Sequence, residues 1–372
     1  MEGPVDLATP SEKLCLFLGG DVMLGRGIDQ ILPFPVKPRI HEEYLHSALD
    51  YLRLAEQRNG PLSYPVDFSY VWGDALAELE KRSPQARLIN LETSITTSED
   101  WEDKGINYRL SPRNAAVLKA LKVDVCALAN NHILDWGERG LIESLETLRS
   151  LGIRSAGAGL NLSEAAAPAV LEVRGGRLLV FAMAAPSSGV PLAWAAGPQK
   201  PGVHLLEDLS LKTLTRVQRL ITSWRRPGDR VVVSIHWGGN WGYPLPKEHP
   251  FFARKLVTEA GVDLIHGHSS HHLLGLEVHQ GKLIIYGCGD FLNDYEGIRG
   301  YEAYRADLPV MFFPNLDLRN GTLTDLVLVP MQIKKFRLQR AGAEDRLWLQ
   351  NLLAREDRGA RLGPRTPWTI ES

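Results

Sequence analysis

A chain of 372 residues, 44% hydrophobic and 23% charged, is long enough for one large α/β domain or two ordinary ones and can bury a sizeable core. Its net charge of −2 gives no overall basic field of the kind that draws a protein to nucleic acid or to an anionic membrane. The three cysteines, Cys15, Cys126 and Cys288, are widely spaced among apolar or small residues, which argues against a disulfide framework and for buried free thiols.

In chain order, Met1 to Lys13 contain Glu2, Asp6 and Glu12 and no basic stretch followed by an apolar one, so no secretory leader is expected. No stretch reaches the roughly 18 apolar residues of a membrane span, and a cytoplasmic protein is expected. Leu14–Gly19 predicts a buried strand, because the run is short, apolar and closed by glycine. Arg87–Asn90, Val123–Leu128, Leu178–Ala182, Arg230–Ile235, Asp263–His266 and Leu283–Tyr286 have the same character. Between them, Tyr70–Arg82, Arg139–Ser150, Leu211–Trp224 and Pro250–Ala260 carry helical patterns, with Gly152 and Gly261 as stops. This alternation predicts α/β layers and a largely parallel sheet. Later, Val310–Leu318 and Thr322–Ile333 flank Asn320-Gly321, a strong hairpin signal, so the sheets are expected to be mixed. Glu344–Arg355 predicts a charged amphipathic helix. Residues 336–372 are expected as a helical extension packed on a domain spanning 1–335. Ile31–Pro65, rich in Pro and His, reads as a surface excursion, and Ala185–Pro201, with four prolines, as a long loop.

Polar residues recur where the expected strands end. Gly20-Asp21 follows the first strand and Asn90-Leu91-Glu92 the second. Asn130-Asn131-His132 follows Val123–Leu128, His236-Trp237-Gly238 follows Arg230–Ile235, and Gly267-His268-Ser269-Ser270-His271 follows Asp263–His266. Ligands of open α/β sheets bind beyond the carboxyl ends of strands. Neutral imidazole is the commonest metal ligand, and imidazoles beside carboxylates and an Asn carbonyl suit Zn, Mn or Fe. Two such ions can share a bridging carboxylate, generate hydroxide from water and clamp a phosphoryl group. Each residue also has a plain structural reading. Asp21 fits a turn or helix cap, Glu92 a solvated carboxylate, Asn130-Asn131 a turn, and His236 a satisfied core histidine. Trp237, Trp241 and Tyr243 fit either a pocket wall or core packing. The joint pattern at five strand ends favours a metal site.

At these residues the sequence resembles the CapA family of poly-gamma-glutamate capsule-biosynthesis proteins, related to calcineurin-like metallophosphatases. The resemblance runs from about Gly19 to Glu296. It rests on Gly20-Asp21-Val22-Met23-Leu24-Gly25-Arg26, Asn90-Leu91-Glu92, Ala129-Asn130-Asn131-His132 with Asp135 and Gly137, His236-Trp237-Gly238, Gly267-His268-Ser269-Ser270-His271, and Tyr286-Gly287-Cys288-Gly289-Asp290-Phe291. It implies a four-layer αββα sandwich of two mixed sheets and a site for one or two divalent metal ions. By analogy, Asp21 and His271 hold one ion, Glu92 bridges, and Asn131, His236 and His268 hold the other. His132 matches the phosphatase histidine that protonates the leaving oxygen, and Asp135 would orient it. Arg26 and Arg109 would bind an anionic substrate through their guanidinium forks, or else form surface salt bridges. His249, His266, His272 and His279 remain structural.

Two positions depart from the superfamily. Metallophosphatases usually carry a histidine two residues after the first aspartate, where this chain has Met23, a poor ligand for a hard metal. Glu92 stands where they usually have an aspartate. The leading expectation is a metal-dependent hydrolase of phosphoester-type bonds, with hydroxide attacking and His132 as general acid. The alternatives are a role in making or handling poly-gamma-glutamate or another acidic polymer, and a binding protein that kept the fold without the chemistry. The expected partner is a small anionic substrate or an acidic polymer, not nucleic acid or membrane.

Overall fold

The computed structural model describes residues 13–356 and 368–371. The acidic stretch read for a leader, up to residue 12, and residues 357–367 of the C-terminal extension lie outside the described residues. The strands are β1 (Lys13–Val22), β2 (Ala86–Leu91), β3 (Val125–Ala127), β4 (Arg154–Ala156), β5 (Ala169–Val173), β6 (Gly176–Ala184), β7 (Arg230–His236), β8 (Leu264–His268), β9 (Leu276–His279), β10 (Lys282–Ile285), β11 (Asp290–Leu292), β12 (Val310–Asp317), β13 (Leu323–Ile333), β14 (Leu338–Arg340) and β15 (Trp368–Ile370), besides four two-residue strands that pair off separately.

The first sheet runs β14-β13-β12-β1-β2-β3-β4. β1 to β4 are parallel, and β12, β13 and β14 continue from β1 as antiparallel neighbours. β11 pairs with the end of β1, and β15 with β13. The second sheet runs β9-β10-β8-β7-β6-β5, parallel through β10, β8, β7 and β6, with antiparallel strands at both edges. β7 explains the choice of a central parallel strand. Its sequence Arg-Val-Val-Val-Ser-Ile-His is buried at every position, as a strand covered on both faces must be.

Alternation along β7 separates the layers. Val231, Val233 and Ile235 pack with Leu214, Val217 and Ile221 of the helix Leu211–Trp224, and with Phe252 and Leu256 of the helix Glu248–Ala260. Each such side chain contributes about 1.5–3 kcal/mol on burial. Val232 faces the other way, into the cluster that holds Leu16, Leu18 and Ile89 of the first sheet. The helices Ala75–Arg82 and Gly137–Ser150 add Leu79, Leu141, Leu145 and Leu148 to that cluster. The result is the expected four-layer sandwich of helices and two mixed sheets. No helix of the described residues is long and apolar enough to cross a membrane.

Several elements differ from the sequence reading. The expected helix Tyr70–Arg82 is broken at Gly73, leaving a 3-10 turn Tyr70–Trp72 and the helix Ala75–Arg82. Gly73 has φ of +45°, and a Cβ there would lie 2.0 Å from the Leu338 carbonyl. The close pass of β14 therefore requires glycine. Ile31–Pro65 is not all excursion: Ser47 caps a helix, Ala48–Asn59, by accepting from the Leu49 N–H at 3.3 Å. Ala185–Pro201 contains two 3-10 turns, Pro186–Ser188 and Leu192–Trp194. Within residues 336–372, the described residues form the helix Ala343–Arg355 together with β14 and β15, which are strands of the first sheet.

Candidate metal centre

Parallel strands end along one edge of their sheet, and here the edges of both sheets coincide. In the first sheet Asp21 is level with Asn90, and Asn90 with Ala127, so Glu92 and the turn Asn130-Asn131-His132 follow just beyond. In the second sheet His236 is level with His268. Ser234 and His236 share the phase of Val232, so they face the first sheet rather than the outer helices. β11 adds a further carboxylate by running parallel to the end of β1, with Asp290 level with Asp21. That pairing needs a residue without a side chain before Asp21. A Cβ at Gly20 would sit 1.8 Å from the Gly289 carbonyl oxygen, which accepts from the Asp21 N–H at 3.0 Å.

Two buried ligand groups result, and Asp21 belongs to both. Asp21, His236 and His268 offer one carboxylate oxygen and two ring nitrogens within 4.8 Å of one another; Asp21, His271 and Asp290 offer two carboxylate oxygens and one ring nitrogen within the same distance. In the first group, Nδ1 of His236 and Nδ1 of His268 are 2.8 Å apart, and Nδ1 of His268 is 3.8 Å from Asp21 Oδ1. Asn131 Oδ1 lies 3.1 Å from His236 Nε2. In the second, His271 Nδ1 lies 2.8 Å from Asp290 Oδ1. Glu92 stands alongside: the Asn90 amide donates to Asp21 Oδ1 at 2.7 Å and to Glu92 Oε2 at 3.1 Å. Met23 is fully buried, and its sulfur accepts from the Tyr295 hydroxyl at 3.4 Å. The loop after β8 is held under strain. Ser269 adopts φ of +102°, unusual for a residue with a side chain, while its N–H donates to Asp21 Oδ2 at 3.2 Å.

Burial and mutual charge shift the ionisation of these groups in different directions. Burial drives the Asp21 carboxyl up to about 7, and the neighbouring Asp290 charge adds to the rise against His271, Asn90 and Glu92. Burial, then the charges of Asp21 and Asp290, push Glu92 well above the carboxylate range. Burial holds His236 and His268 well below the usual imidazole range. His271 is the exception: burial, the largest influence, lowers it, but the charge and hydrogen bond of Asp290 and the charge of Asp21 together leave it raised. Crowded carboxyls beside neutral imidazoles are a donor set in search of positive charge, and ionised carboxylate and neutral imidazole are the forms that ligate a cation. Two nitrogens each about 2.0–2.1 Å from a shared ion, at roughly a right angle, lie about 2.9 Å apart, close to the His236–His268 separation. The residues present therefore fit one or two divalent ions.

His132 and Asp135 lie beside this set. His132 Nδ1 donates to Asp135 Oδ2 at 2.7 Å, and its Nε2 is 3.8 Å from Glu92 Oε1. Burial, opposed by Asp135, brings His132 down to about 4. Lys104, which the sequence reading did not single out, donates to Asp135 Oδ1 at 2.7 Å and to the Asn131 carbonyl, and sits 5.1 Å above the Trp194 ring. The long loop expected at Ala185–Pro201 thus borders the site. Trp237 is core, 2% exposed and stacked on His249 at 4.5 Å, whereas Trp241 lies against His271 at 5.3 Å and stacks on Tyr301 at 4.2 Å.

The two expected substrate arginines are placed elsewhere. Arg26 is buried, bonded to Asp294 through Nε and Nη2 and to Glu42 and Tyr51 through Nη1. It lies behind the rings of Tyr108 and Tyr295, which in turn touch His132 and His271. Its fork is engaged by this chain's own carboxylates. Arg109 lies 3.9 Å over the Trp136 ring and donates to the Ser98 and Lys37 carbonyls. The structure thus brings Asp21, Glu92, Asn131, His236, His268 and His271 to one place with His132 and Asp135, and gives Arg26 and Arg109 other partners. Asp290 was visible only inside the Tyr286–Phe291 motif, with no histidine beside it in sequence.

The sequence pattern of the family described as bacterial capsule synthesis protein PGA_cap matches residues 15–295. The chain belongs to this family. The match takes in every member of both ligand groups, from Asp21 to Asp290. A Mycobacterium tuberculosis protein described as a probable polyglutamine synthesis accessory protein is 45% identical over 355 residues, covering 95% of this chain and 93% of that protein. The capsule biosynthesis protein CapA of Bacillus anthracis is 24% identical, over 87% of this chain and 69% of that protein. Among solved structures, a phosphatase from Mycoplasma pneumoniae is similar in fold, with a TM-score of 0.50 and 12% identity over 87% of this chain and 95% of that chain. This member of the capsule synthesis family thus shares its overall fold with that phosphatase.

Proposed function

We propose that this protein is a metal-dependent hydrolase of phosphoester-type bonds. The observation that carries the reading is the position of His132, paired to Asp135 and directed at Glu92, beside two ligand groups that share Asp21. Asp21, His236 and His268, with Asn131 next to them, would hold one ion; Asp21, His271 and Asp290 would hold the other, with Glu92 between the two groups and the dyad. Bound there, divalent Mn, Zn or Fe supplies charge for the phosphoryl oxygens and acidifies water. The chain's own part is orientation and proton handling. Asp135 fixes the His132 ring through Nδ1, which leaves Nε2 to exchange a proton with the leaving oxygen. Lys104 holds Asp135 in place and sets a cation at the edge of the site. Hydrolysis of an aryl phosphate or phosphodiester, assayed with added Mn and again with chelator, tests this. Turnover that survives Glu92→Ala and His236→Ala would end the metal mechanism.

A second reading makes an acidic polymer of the poly-gamma-glutamate type the natural partner, whether cut, transferred or held. It is favoured by the match to the bacterial capsule synthesis family PGA_cap over residues 15–295, beside the 45% identity to a protein described as a probable polyglutamine synthesis accessory protein. Incubation with the polymer separates the two. A shortened or extended polymer supports this reading, and an unchanged polymer beside brisk phosphoester turnover favours the first.

A further inference from the structure

A buried hydrogen-bond chain leads from the backbone of the first sheet to His268, and each link has a single workable direction. It starts at the Gly19 carbonyl in β1, near the irregular register between Gly19 and Asp21. A carbonyl only accepts. His266 Nε2 is 2.9 Å from that oxygen, so the ring proton of His266 is on Nε2. A neutral imidazole carries one ring proton, which leaves Nδ1 of His266 as an acceptor. Ser234 Oγ is 3.0 Å from that Nδ1 and gives it the hydroxyl proton. The same oxygen then accepts at its other contact, His268 Nε2, at 2.8 Å. His268 is therefore protonated at Nε2 and presents a lone pair at Nδ1. That lone pair faces His236 Nδ1 at 2.8 Å and Asp21 Oδ1 at 3.8 Å, the other members of the first ligand group.

We propose that His266, acting through Ser234, is a positioning residue that holds His268 as its Nε2–H tautomer and so presets Nδ1 as a ligand atom. Ser234 and His266 are fully buried and His268 is 1% exposed, so solvent cannot substitute for a missing link. The register of β7 and β8 sets Ser234 level with His266 and His236 level with His268, so one strand pair builds both the relay and the ligands. Leu264 and Ile265 show that apolar side chains fill this strand elsewhere, which leaves the polar pair at 234 and 266 in need of a purpose. The purpose is population. A ring that spends part of its time with its proton on Nδ1 binds an ion more weakly in proportion to that fraction, and removing an outer-shell partner of a metal-bound histidine typically costs 10–100-fold in affinity.

This inference rests on the cluster being a metal centre, but its central statement concerns the ion-free protein. The experiment is a nitrogen–proton correlation spectrum of chelator-treated protein labelled with 15N-histidine, with rings assigned through single His→Gln variants. Zn affinity is then measured by calorimetry on the same preparations. The expected spectrum has Nε2 protonated and Nδ1 bare in both His266 and His268. Ser234→Ala opens no large cavity; it is expected to mix the His268 tautomers and weaken Zn binding about 10–100-fold. His266→Phe should do the same. His266→Asn, which keeps an acceptor for the Ser234 hydroxyl, should restore the wild-type His268 spectrum and most of the affinity. A proton on Nδ1 of His268 in the wild type, a doubly protonated His266, or an unchanged His268 spectrum and Zn affinity in Ser234→Ala would overturn the proposal. The expected tautomers in a protein that turns over no phosphoester would instead sustain the relay and remove the hydrolase reading.

Discussion

The second sheet brings imidazoles to the site, His236 and His268 at the ends of β7 and β8. The first brings carboxyls: Asp21 in β1, Glu92 after β2, and Asp290 where β11 lies against β1. Burial affects the two halves differently. An imidazole held below its usual range is neutral and still an effective ligand, so the histidine half rests comfortably without an ion. The carboxyl half is crowded with like charge, and burial with that crowding raises both Asp21 and Glu92 above the carboxylate range. One half of the candidate site is thus preset for an ion, while the other would change state on binding one.

Breaking the carboxyl half should have the largest effect. Asp21→Ala removes the residue common to both ligand groups, and metal-dependent turnover is expected to fall by on the order of 10⁴, several kcal/mol of transition-state stabilisation. His132→Asn leaves both ligand groups intact. It should cost about a hundredfold or more in kcat with metal content unchanged, measured by metal analysis beside the phosphoester assay. Arg26→Met tests whether that arginine is structural. Removing a buried partner of Asp294 and Glu42 should destabilise the fold by about 3–5 kcal/mol in urea unfolding, with KM unaltered in the protein that remains folded.

The pH dependence of stability sharpens the contrast. In chelator-treated protein the folded Asp21 carboxyl titrates at about 7, above its ordinary 3.8. Its contribution is complete below about 4 and is lost as pH rises through 7. Asp21→Asn should abolish that alkaline loss. A partly buried histidine held below its usual range has the opposite sign. Burial lowers His204, away from the site, from 6.5 to about 4, so its contribution is complete above 6.5 and is lost as pH falls toward 4. His204→Gln should flatten that acid limb by about 3 kcal/mol at most. The smallest effect is expected at Arg109→Lys, which leaves the two ligand groups and the dyad untouched and should change kcat/KM little.

The candidate ligands were legible in the sequence because short buried strands announce their own ends, and polar residues just past such ends stand out. Asp21, Glu92, Asn131, His236, His268 and His271 all have that local signature. Asp290 does not: it becomes a neighbour of Asp21 only because Gly20 lets the Gly289 carbonyl approach, a fact of strand pairing rather than of spacing. Lys104 was hidden in an acidic loop, Glu99 to Asp103, where a lysine reads as a solvated surface charge. The arginines were visible as cations, but nothing local shows that Arg26 meets Asp294, 268 positions later. Likewise His266 read as structural because its partners Gly19 and Ser234 come from other strands. Chain-local features were thus readable, and cross-sheet pairings were not.

The most direct test is thermal unfolding of chelator-treated protein at pH 8, with and without added Mn, Zn or Fe, for the wild type and Asp21→Asn. The expected result is a wild type that is less stable than the variant without an ion and gains about 2.7 kcal/mol when the ion is at a hundred times its Kd, while Asp21→Asn gains little. A wild-type midpoint that none of Mn, Zn or Fe moves would contradict a metal centre at Asp21.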